Sequence, residues 1–193
     1  MKKSLQSLDP AALDGRRALV RVDFNCPIKD GLVSDNTRIR ASLPTIRFLR
    51  DKGARVVLLS HLGRPKGGPD PKFTLQPCVL ELEKLLGAPV TFIGDPAAAD
   101  AITVTKRLPR GGVAVVENTR FHPGETKNDA GYAAELAALA DIYVNDAFGS
   151  AHRAHSSTEA VAHLLPAYAG LLLERELAEL GRLLGAVERP FVI

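Results

Sequence analysis

Five short apolar runs, separated by stretches with helical periodicity, constrain the fold of this 193-residue chain more than any other feature. Each run is brief and rich in Val, Leu or Ile, which is typical of strands that are covered on both faces. We predict strands over residues 17–22 (RALVRV), 54–60 (ARVVLLS), 89–94 (PVTFIG), 112–116 (GVAVV) and 141–145 (DIYVN).

Six helices are predicted from apolar spacing together with start and stop residues. Pro44 falls inside the first helix and should kink it or shift its start. The predicted helices run from Asp35 or Asn36 to Gly53, from Thr74 to Gly87, from Asp95 to near Pro109, from Asn128 or Asp129 through AGYAAELAALA, from a capping box at Ser156 and Glu159 through AVAHLL, and over 171–184. Because strands alternate with helices, we predict an α/β fold: a three-layer Rossmann-like domain whose parallel sheet is flanked by helices on both faces.

Composition is that of a globular protein from a reducing compartment. The hydrophobic fraction is 46% and the charged fraction 24%, both ordinary for a folded domain, and no apolar run approaches the roughly 20 residues that span a bilayer. Cys26 and Cys78 are the two cysteines and lie outside any CxxC motif. We therefore expect a cytoplasmic protein with no membrane partner and no disulfide scaffold.

Polar and cationic residues follow four of the predicted strands at the point where each strand ends. Because the carboxyl ends of parallel strands share one edge of an open sheet, we expect these loops to meet. Arginine binds phosphate and carboxylate oxygens in pairs, and histidine donates a further hydrogen bond. Any one such cation is more commonly a solvated loop residue, so the prediction of an anion site depends on their convergence. The junction residues are Asp23, Phe24, Asn25, His61, Leu62, Gly63, Arg64, Arg120 and Arg153, with Arg38 at the start of the first helix.

Other chemistries have weaker support in the sequence. There is no GxxxxGK[ST] phosphate loop and no GxGxxG after a strand, so nucleotide binding has no local motif here. His152 and His155 have zinc-like spacing, but no cysteine or glutamate set completes a site, and we expect no metal. The net charge of +3 would suit a nucleic acid, yet aromatic residues make up only 5% and Trp is absent.

Six stretches of the chain resemble the phosphoglycerate kinase family. They occur in the family's order from about residue 16 to the end: RVDFNCP, DNTRIRASLPTI, LLSHLGRPKG, ENTRFHPGETKND, NDAFGSAHRAHSST and LLPAYAGLLLERELAEL. The resemblance implies the N-terminal, 3-phosphoglycerate-binding domain of a two-domain enzyme. That enzyme moves a phosphoryl group between 1,3-bisphosphoglycerate and ADP, giving 3-phosphoglycerate and ATP, with Mg²⁺ on the nucleotide.

The resemblance also implies roles for single residues. Arg38 is expected to be catalytic and to reach the transferred phosphoryl group. Cys26 and Thr119 stand where the family commonly has apolar residues; neither changes a charged position, and at Cys26 we expect a packing change. The residues implied to bind the substrate are Asp23, Phe24, Asn25, Arg38, His61, Leu62, Gly63, Arg64, Arg120 and Arg153.

The same resemblance divides the chain. Residues 1–170 are expected to form the substrate-binding domain, 171–186 an interdomain helix, and 187–193 the start of a C-terminal nucleotide domain that is cut away. ATP or ADP with Mg²⁺ is expected on that domain and no cofactor on this chain, so the chain alone should not turn over. Full-length members are expected to be monomeric. The alternatives are a stand-alone anion-binding module without catalysis and a nucleic-acid-binding protein.

Overall fold

The structure, a computed structural model, describes residues 3–98 and 100–183. Its strands and helices alternate along the chain as the apolar periodicity predicts. The strands are β1 (Arg17–Arg21), β2 (Ile28–Lys29), β3 (Leu32–Val33), β4 (Arg55–Leu59), β5 (Val90–Ile93), β6 (Val113–Val116), β7 (Ile142–Asn145) and β8 (Ala167–Ala169). The α-helices are α1 (Thr37–Asp51), α2 (Gln76–Leu86), α3 (Ala101–Arg107), α4 (Ala130–Ala138) and α5 (Leu171–Leu183).

Six of the strands form one parallel sheet in the order β5-β6-β4-β1-β7-β8. The first strand is central: Arg21, its last residue, is paired with Leu59 of β4 and with Asn145 of β7. The segments that follow these three strands therefore leave the sheet side by side. The antiparallel pair β2–β3 forms a separate hairpin between β1 and α1.

Each face of the sheet carries its own hydrophobic cluster, because alternate strand residues point to opposite faces. Val20 and Leu58 pack on one face with apolar residues of α1 and α2. Leu19 and Val57 pack on the other with residues of α4 and Ala101 of α3. The predicted three-layer Rossmann-like α/β domain is thus confirmed. The helix α5 packs against α1.

The five predicted strands are confirmed to within about one residue at each end, and four of the predicted helices agree closely with α1, α2, α4 and α5. Pro44 lies inside α1, which still begins directly after Asn36, so the predicted shift of the helix start is wrong. Residues 184–193, including the end of the predicted interdomain helix and the predicted final strand, lie outside the described residues.

Two predicted helix starts are wrong. Asp95 closes a turn by accepting a hydrogen bond from Ala97 N over 2.9 Å, and α3 begins only at Ala101. Ser156 caps no helix; its hydroxyl donates to the carbonyl oxygens of Gly124 and Asp129. A short 3₁₀ turn over Ala160–His163 replaces the expected α-helix. Among the described helices, none combines the length and the apolar character needed to cross a membrane.

Candidate anion-binding site

The loops after β1, β4 and β6 are joined through the backbone of one residue, Gly63. Its N–H donates to Asn25 Oδ1 over 2.8 Å, and its carbonyl oxygen accepts from Arg120 Nη1 over 2.6 Å. Gly63 has φ +61°, and a Cβ there would overlap the ring of Phe73. A glycine is therefore required at this position, where Asn25 and Arg120 both bind its backbone.

Three of the predicted arginines face one open cleft of about 520 Å³. Burial, then the nearby charges of Arg153 and Arg21, lower the pKa of Arg120, yet an arginine remains charged at physiological pH. Its buried Nε has no hydrogen-bond partner among the described residues. No carboxylate is among the described residues that line the cleft, so the cleft attracts anions. The lining residues are Arg64, Pro65, Gly67, Arg120, His122, Pro123, Thr126, Arg153 and His155.

His61 lies beside this cleft as a neutral imidazole. Burial, reinforced by the charges of Arg21, Arg120 and Arg153, lowers its pKa to about 2. Arg21 Nη2 lies 3.0 Å from His61 Nδ1, and because a guanidinium only donates, Nδ1 is the acceptor. The ring proton is therefore on Nε2, which makes His61 a neutral hydrogen-bond donor rather than a fourth cation.

Arg21 and Glu125 form the interior support of the site, and neither was predicted from the sequence. The guanidinium is buried and donates from Nε to Ser157 Oγ over 2.9 Å. Ser157 donates in turn to Glu125 Oε1 over 2.6 Å, and its amide donates to Oε2 over 3.0 Å. Thr119 also donates to this fully buried carboxylate, over 3.2 Å. Thr119, which stands where the family commonly has an apolar residue, is not itself charged, but its hydroxyl contacts a charged group.

Asp23 and Arg38 form a pair apart from the cleft lining. Arg38 Nη1 donates to Asp23 Oδ2, and the other carboxylate oxygen accepts from Asn25 N over 3.1 Å. About half of the Arg38 side chain is exposed, whereas the Asp23 side chain is largely covered. A charged arginine held at the start of α1 by one exposed ion pair is weakly restrained.

Phe24 and Leu62 belong to the interior rather than to the cleft. Both are buried in the hydrophobic core. Their backbones do the positioning: Phe24 N donates to Ser60 Oγ over 2.8 Å, and Leu62 O accepts from Asn118 Nδ2 over 2.7 Å. The structure thus brings Arg64, Arg120 and Arg153 into one cleft, and the other predicted residues are not among those that line it.

Two histidines of the cleft were not among the predicted site residues. His122 stacks on Tyr132 with ring centroids 3.9 Å apart and accepts from Gly124 N at Nδ1 over 3.0 Å. Burial lowers the pKa of His155, opposed by Glu125. Position was the available signal, since both follow cleft arginines within two residues. Among the described residues, no group of three or more His, Cys, Asp or Glu side chains could hold a metal ion.

A parallel α/β sheet with cations gathered at its carboxyl edge defines a class of proteins that bind anionic ligands there. The particular family follows from comparison: residues 8–193 match the model of the phosphoglycerate kinase family, and the chain belongs to that family. Phosphoglycerate kinase of Moorella thermoacetica is 55% identical over 191 residues, which are 99% of this chain and 48% of that protein. The enzyme of Caulobacter vibrioides is 55% identical over 189 residues, covering 98% and 48%.

Solved structures agree with the sequence relatives. The structure of phosphoglycerate kinase from Coxiella burnetii superposes with a TM-score of 0.86 at 37% identity, covering 98% of this chain and 47% of that one. The crystal structure of the Pyrococcus horikoshii enzyme gives the same TM-score at 33% identity. This chain spans about half the length of the relatives it matches.

Proposed function

We propose that this chain is the 3-phosphoglycerate-binding half of a cytoplasmic phosphoglycerate kinase. The observation that carries the proposal is the cleft of about 520 Å³ into which Arg64, Arg120 and Arg153 converge. It is roomy enough for a three-carbon phosphate ester, and paired guanidinium donors suit both the phosphate and the carboxylate of such a molecule. The neutral His61 adds a donor for the hydroxyl or carboxylate.

The remaining substrate contacts come from the loop after β1. Asn25 binds the N–H of Gly63 and Arg120 binds its carbonyl oxygen, which supports a defined position for the loop that carries Arg64. Asp23 pairs with Arg38 and accepts from the substrate hydroxyl. When the acyl phosphate is present, Arg38 leaves Asp23 for the transferred phosphoryl group.

This division of labour fits the chemistry of phosphoryl transfer to a carboxylate. The attacking group is ionised at neutral pH and needs no general base. What the protein must supply is positioning and neutralisation of charge on the group in transit. ATP or ADP with Mg²⁺ is held by a C-terminal domain. Residues 171–186 connect the substrate-binding domain to it, and residues 187–193 are its first residues. The full-length enzyme is expected to be monomeric, and this chain alone binds substrate but does not turn over.

Calorimetric titration of 3-phosphoglycerate into the 193-residue chain tests the proposal. We expect saturable binding that Arg64→Ala weakens at least tenfold. Lys66→Ala is the matched control, because it removes the same charge from the same loop but lies outside the cleft lining, and it should change the affinity less than twofold. Equal losses in both variants, or no binding by a chain whose circular dichroism shows it to be folded, would contradict the proposal.

A second titration addresses the alternative of a stand-alone anion module. Inorganic phosphate binding as tightly as 3-phosphoglycerate would favour that alternative.

Catalysis is tested in a chain that includes the C-terminal domain, where Arg38→Ala should lower kcat on the order of 10²–10³-fold, as for loss of another preorganised donor. Turnover like that of the unmodified enzyme would overturn the role of Arg38.

A further inference from the structure

The two cysteines of this chain are neighbours in the folded protein. Cys26 N and Cys78 Sγ both donate to the carbonyl oxygen of Phe24, over 2.7 Å and 3.6 Å. Each thiol also shifts the pKa of the other, and both side chains belong to the same hydrophobic cluster. Cys26 therefore does more than fill the volume of an apolar residue. It places a second sulfur, carried by the turn at residues 24–26 after β1, near Cys78 of α2.

The two thiols differ in reactivity. The neighbouring Cys78 thiol lowers the pKa of Cys26, as do the charge of Arg38 and the backbone N–H of Ile39, while burial and Asp23 oppose them. The Cys26 thiol, and then burial, raise the pKa of Cys78. Cys26 retains 4% exposure and Cys78 none. Since the thiolate is the nucleophile, Cys26 is the sulfur that a small oxidant can reach and that can attack it.

We propose that Cys26 and Cys78 form a peroxide-reactive pair in which Cys26 is the attacking thiol and Cys78 the resolving thiol. The Cys26 thiolate attacks one oxygen of hydrogen peroxide, the O–O bond breaks, and hydroxide leaves; Cys26 becomes a sulfenic acid, oxidised by two electrons. Cys78 sulfur then attacks the Cys26 sulfur, the S–O bond breaks, and the hydroxyl leaves as water with the Cys78 proton. In sum, two thiols and one peroxide give one disulfide and two waters.

The disulfide changes the anion-site loop as well as the sulfurs. An S–S bond of about 2.05 Å is much shorter than the distance between two unbonded sulfur atoms in contact, so oxidation draws the turn at residues 24–26 toward α2. That turn carries Asn25, whose side chain accepts from Gly63 N. Oxidation thus ties the loop after β1 covalently to α2, which otherwise holds it by packing and by the hydrogen bond from Cys78 Sγ to Phe24 O.

Thiol counting on the native chain tests the proposal without any ligand. The chain is treated with a slight excess of hydrogen peroxide, quenched with catalase, unfolded and alkylated with iodoacetamide before mass spectrometry. We expect a monomer that is lighter by two hydrogens and takes up no alkyl groups. After reduction with dithiothreitol, both cysteine thiols should again be alkylated. Two alkylated thiols after treatment, a disulfide-linked dimer, or sulfinic acid at Cys26 without a disulfide would each overturn the proposal.

The order of attack is tested separately. With dimedone present during partial oxidation of the unmodified chain, we expect the adduct on the peptide that contains Cys26. In Cys78→Val the resolving thiol is gone, and the Cys26 adduct should become the main product. In Cys26→Val the thiol of Cys78 should react at least tenfold more slowly than Cys26 does in the unmodified chain. A dimedone adduct first on Cys78 would contradict the assignment, whether or not either variant folds.

Discussion

Arg21 donates a hydrogen bond from Nη2 to Nδ1 of His61 over 3.0 Å, and this bond decides which hydrogen bonds His61 can make at the cleft. The guanidinium is itself buried and anchored through Ser157 to Glu125. A buried arginine without such anchoring would be costly, because taking a charge out of water is compensated only by good pairing. The buried and anchored Arg21 thus determines which ring nitrogen of His61 carries the proton.

We predict that His61 is neutral from pH 5 to pH 8, with its proton on Nε2. Burial and the surrounding arginines lower its pKa to about 2, so no titration occurs in that range. Arg21→Met removes a neighbouring charge and the donor to Nδ1, so the pKa of His61 should rise. Nitrogen-detected NMR of the imidazole measures both the tautomer and the pKa.

Arg17→Met is the control for this prediction, since Arg17 lies on the same strand but pairs with Asp141. It should leave the His61 resonances unchanged. A His61 ring that titrates near its ordinary pKa in the unmodified chain, or that responds equally to both substitutions, would contradict the assignment.

A second prediction concerns the glycine between Asn25 and Arg120. Gly63→Ala puts a Cβ into the ring of Phe73 at a residue with φ +61°, so the peptide must shift and the hydrogen bonds at 2.8 Å and 2.6 Å are lost. We expect 3-phosphoglycerate affinity to fall at least tenfold in calorimetry.

Gly87→Ala is the control that separates the effect of backbone strain from that of displacing the Gly63 backbone at the site. Gly87 has φ +63° at the end of α2, with no atom within 4 Å of an added Cβ. The two substitutions therefore impose similar strain, on the order of 1 kcal/mol, but only the first displaces the site. Equal loss of affinity in both variants would show that stability, not position, is responsible.

The sequence was sufficient for most of the sheet because its strands are buried on both faces and appear as continuous apolar runs. It was insufficient for β8, whose three residues are too few to show a pattern, and for the two-residue strands β2 and β3. Asp95 followed by proline is equally good chemistry for a turn and for a helix start. Local preference could not choose between them, and tertiary packing did.

The same limit applies to the site. Arg64, Arg120 and Arg153 could be predicted to converge because each follows a strand of a parallel sheet. Arg21 could not, since a charged residue at the end of a strand is ordinarily solvated and only the packing of the 155–158 segment buries it. Glu125 lies in a short 3₁₀ turn with no sequence signal of burial. The charges that support a site from within are therefore the ones that sequence patterns miss.

A third prediction concerns pH and Asp146, which follows β7 and accepts from Leu172 N over 2.9 Å at the start of α5. Burial raises its pKa to about 6, against hydrogen bonds from Thr45 and the α5 backbone. Between the unfolded pKa of 3.8 and the folded value, the folded chain binds more protons. This carboxyl therefore stabilises the fold less as pH rises through 6.

Asp146→Asn removes that dependence while keeping an acceptor oxygen. The free energy of unfolding of the variant, relative to the unmodified chain, should rise by up to about 3 kcal/mol between pH 4 and pH 7. Urea unfolding across that range measures it. Asp141→Asn should show little dependence on pH over this range, because hydrogen bonds from Arg17 outweigh burial and lower the pKa of Asp141, so its contribution to stability is lost only at lower pH. A flat difference for Asp146→Asn would contradict the raised pKa.

The last prediction tests how tightly α5 is seated on the sheet. Gly170 directly precedes α5, and a Cβ there would overlap the carboxyl group of Asp146. Because that group is buried and caps the helix, it cannot move aside, and Gly170→Ala should lower the free energy of unfolding by about 2 kcal/mol or more. Gly181 lies within the same helix with no atom within 4 Å of an added Cβ, so Gly181→Ala should raise it by up to about 1 kcal/mol. Urea unfolding of the two variants compares them directly. Stabilisation by both substitutions would mean that the start of α5 is not held against Asp146.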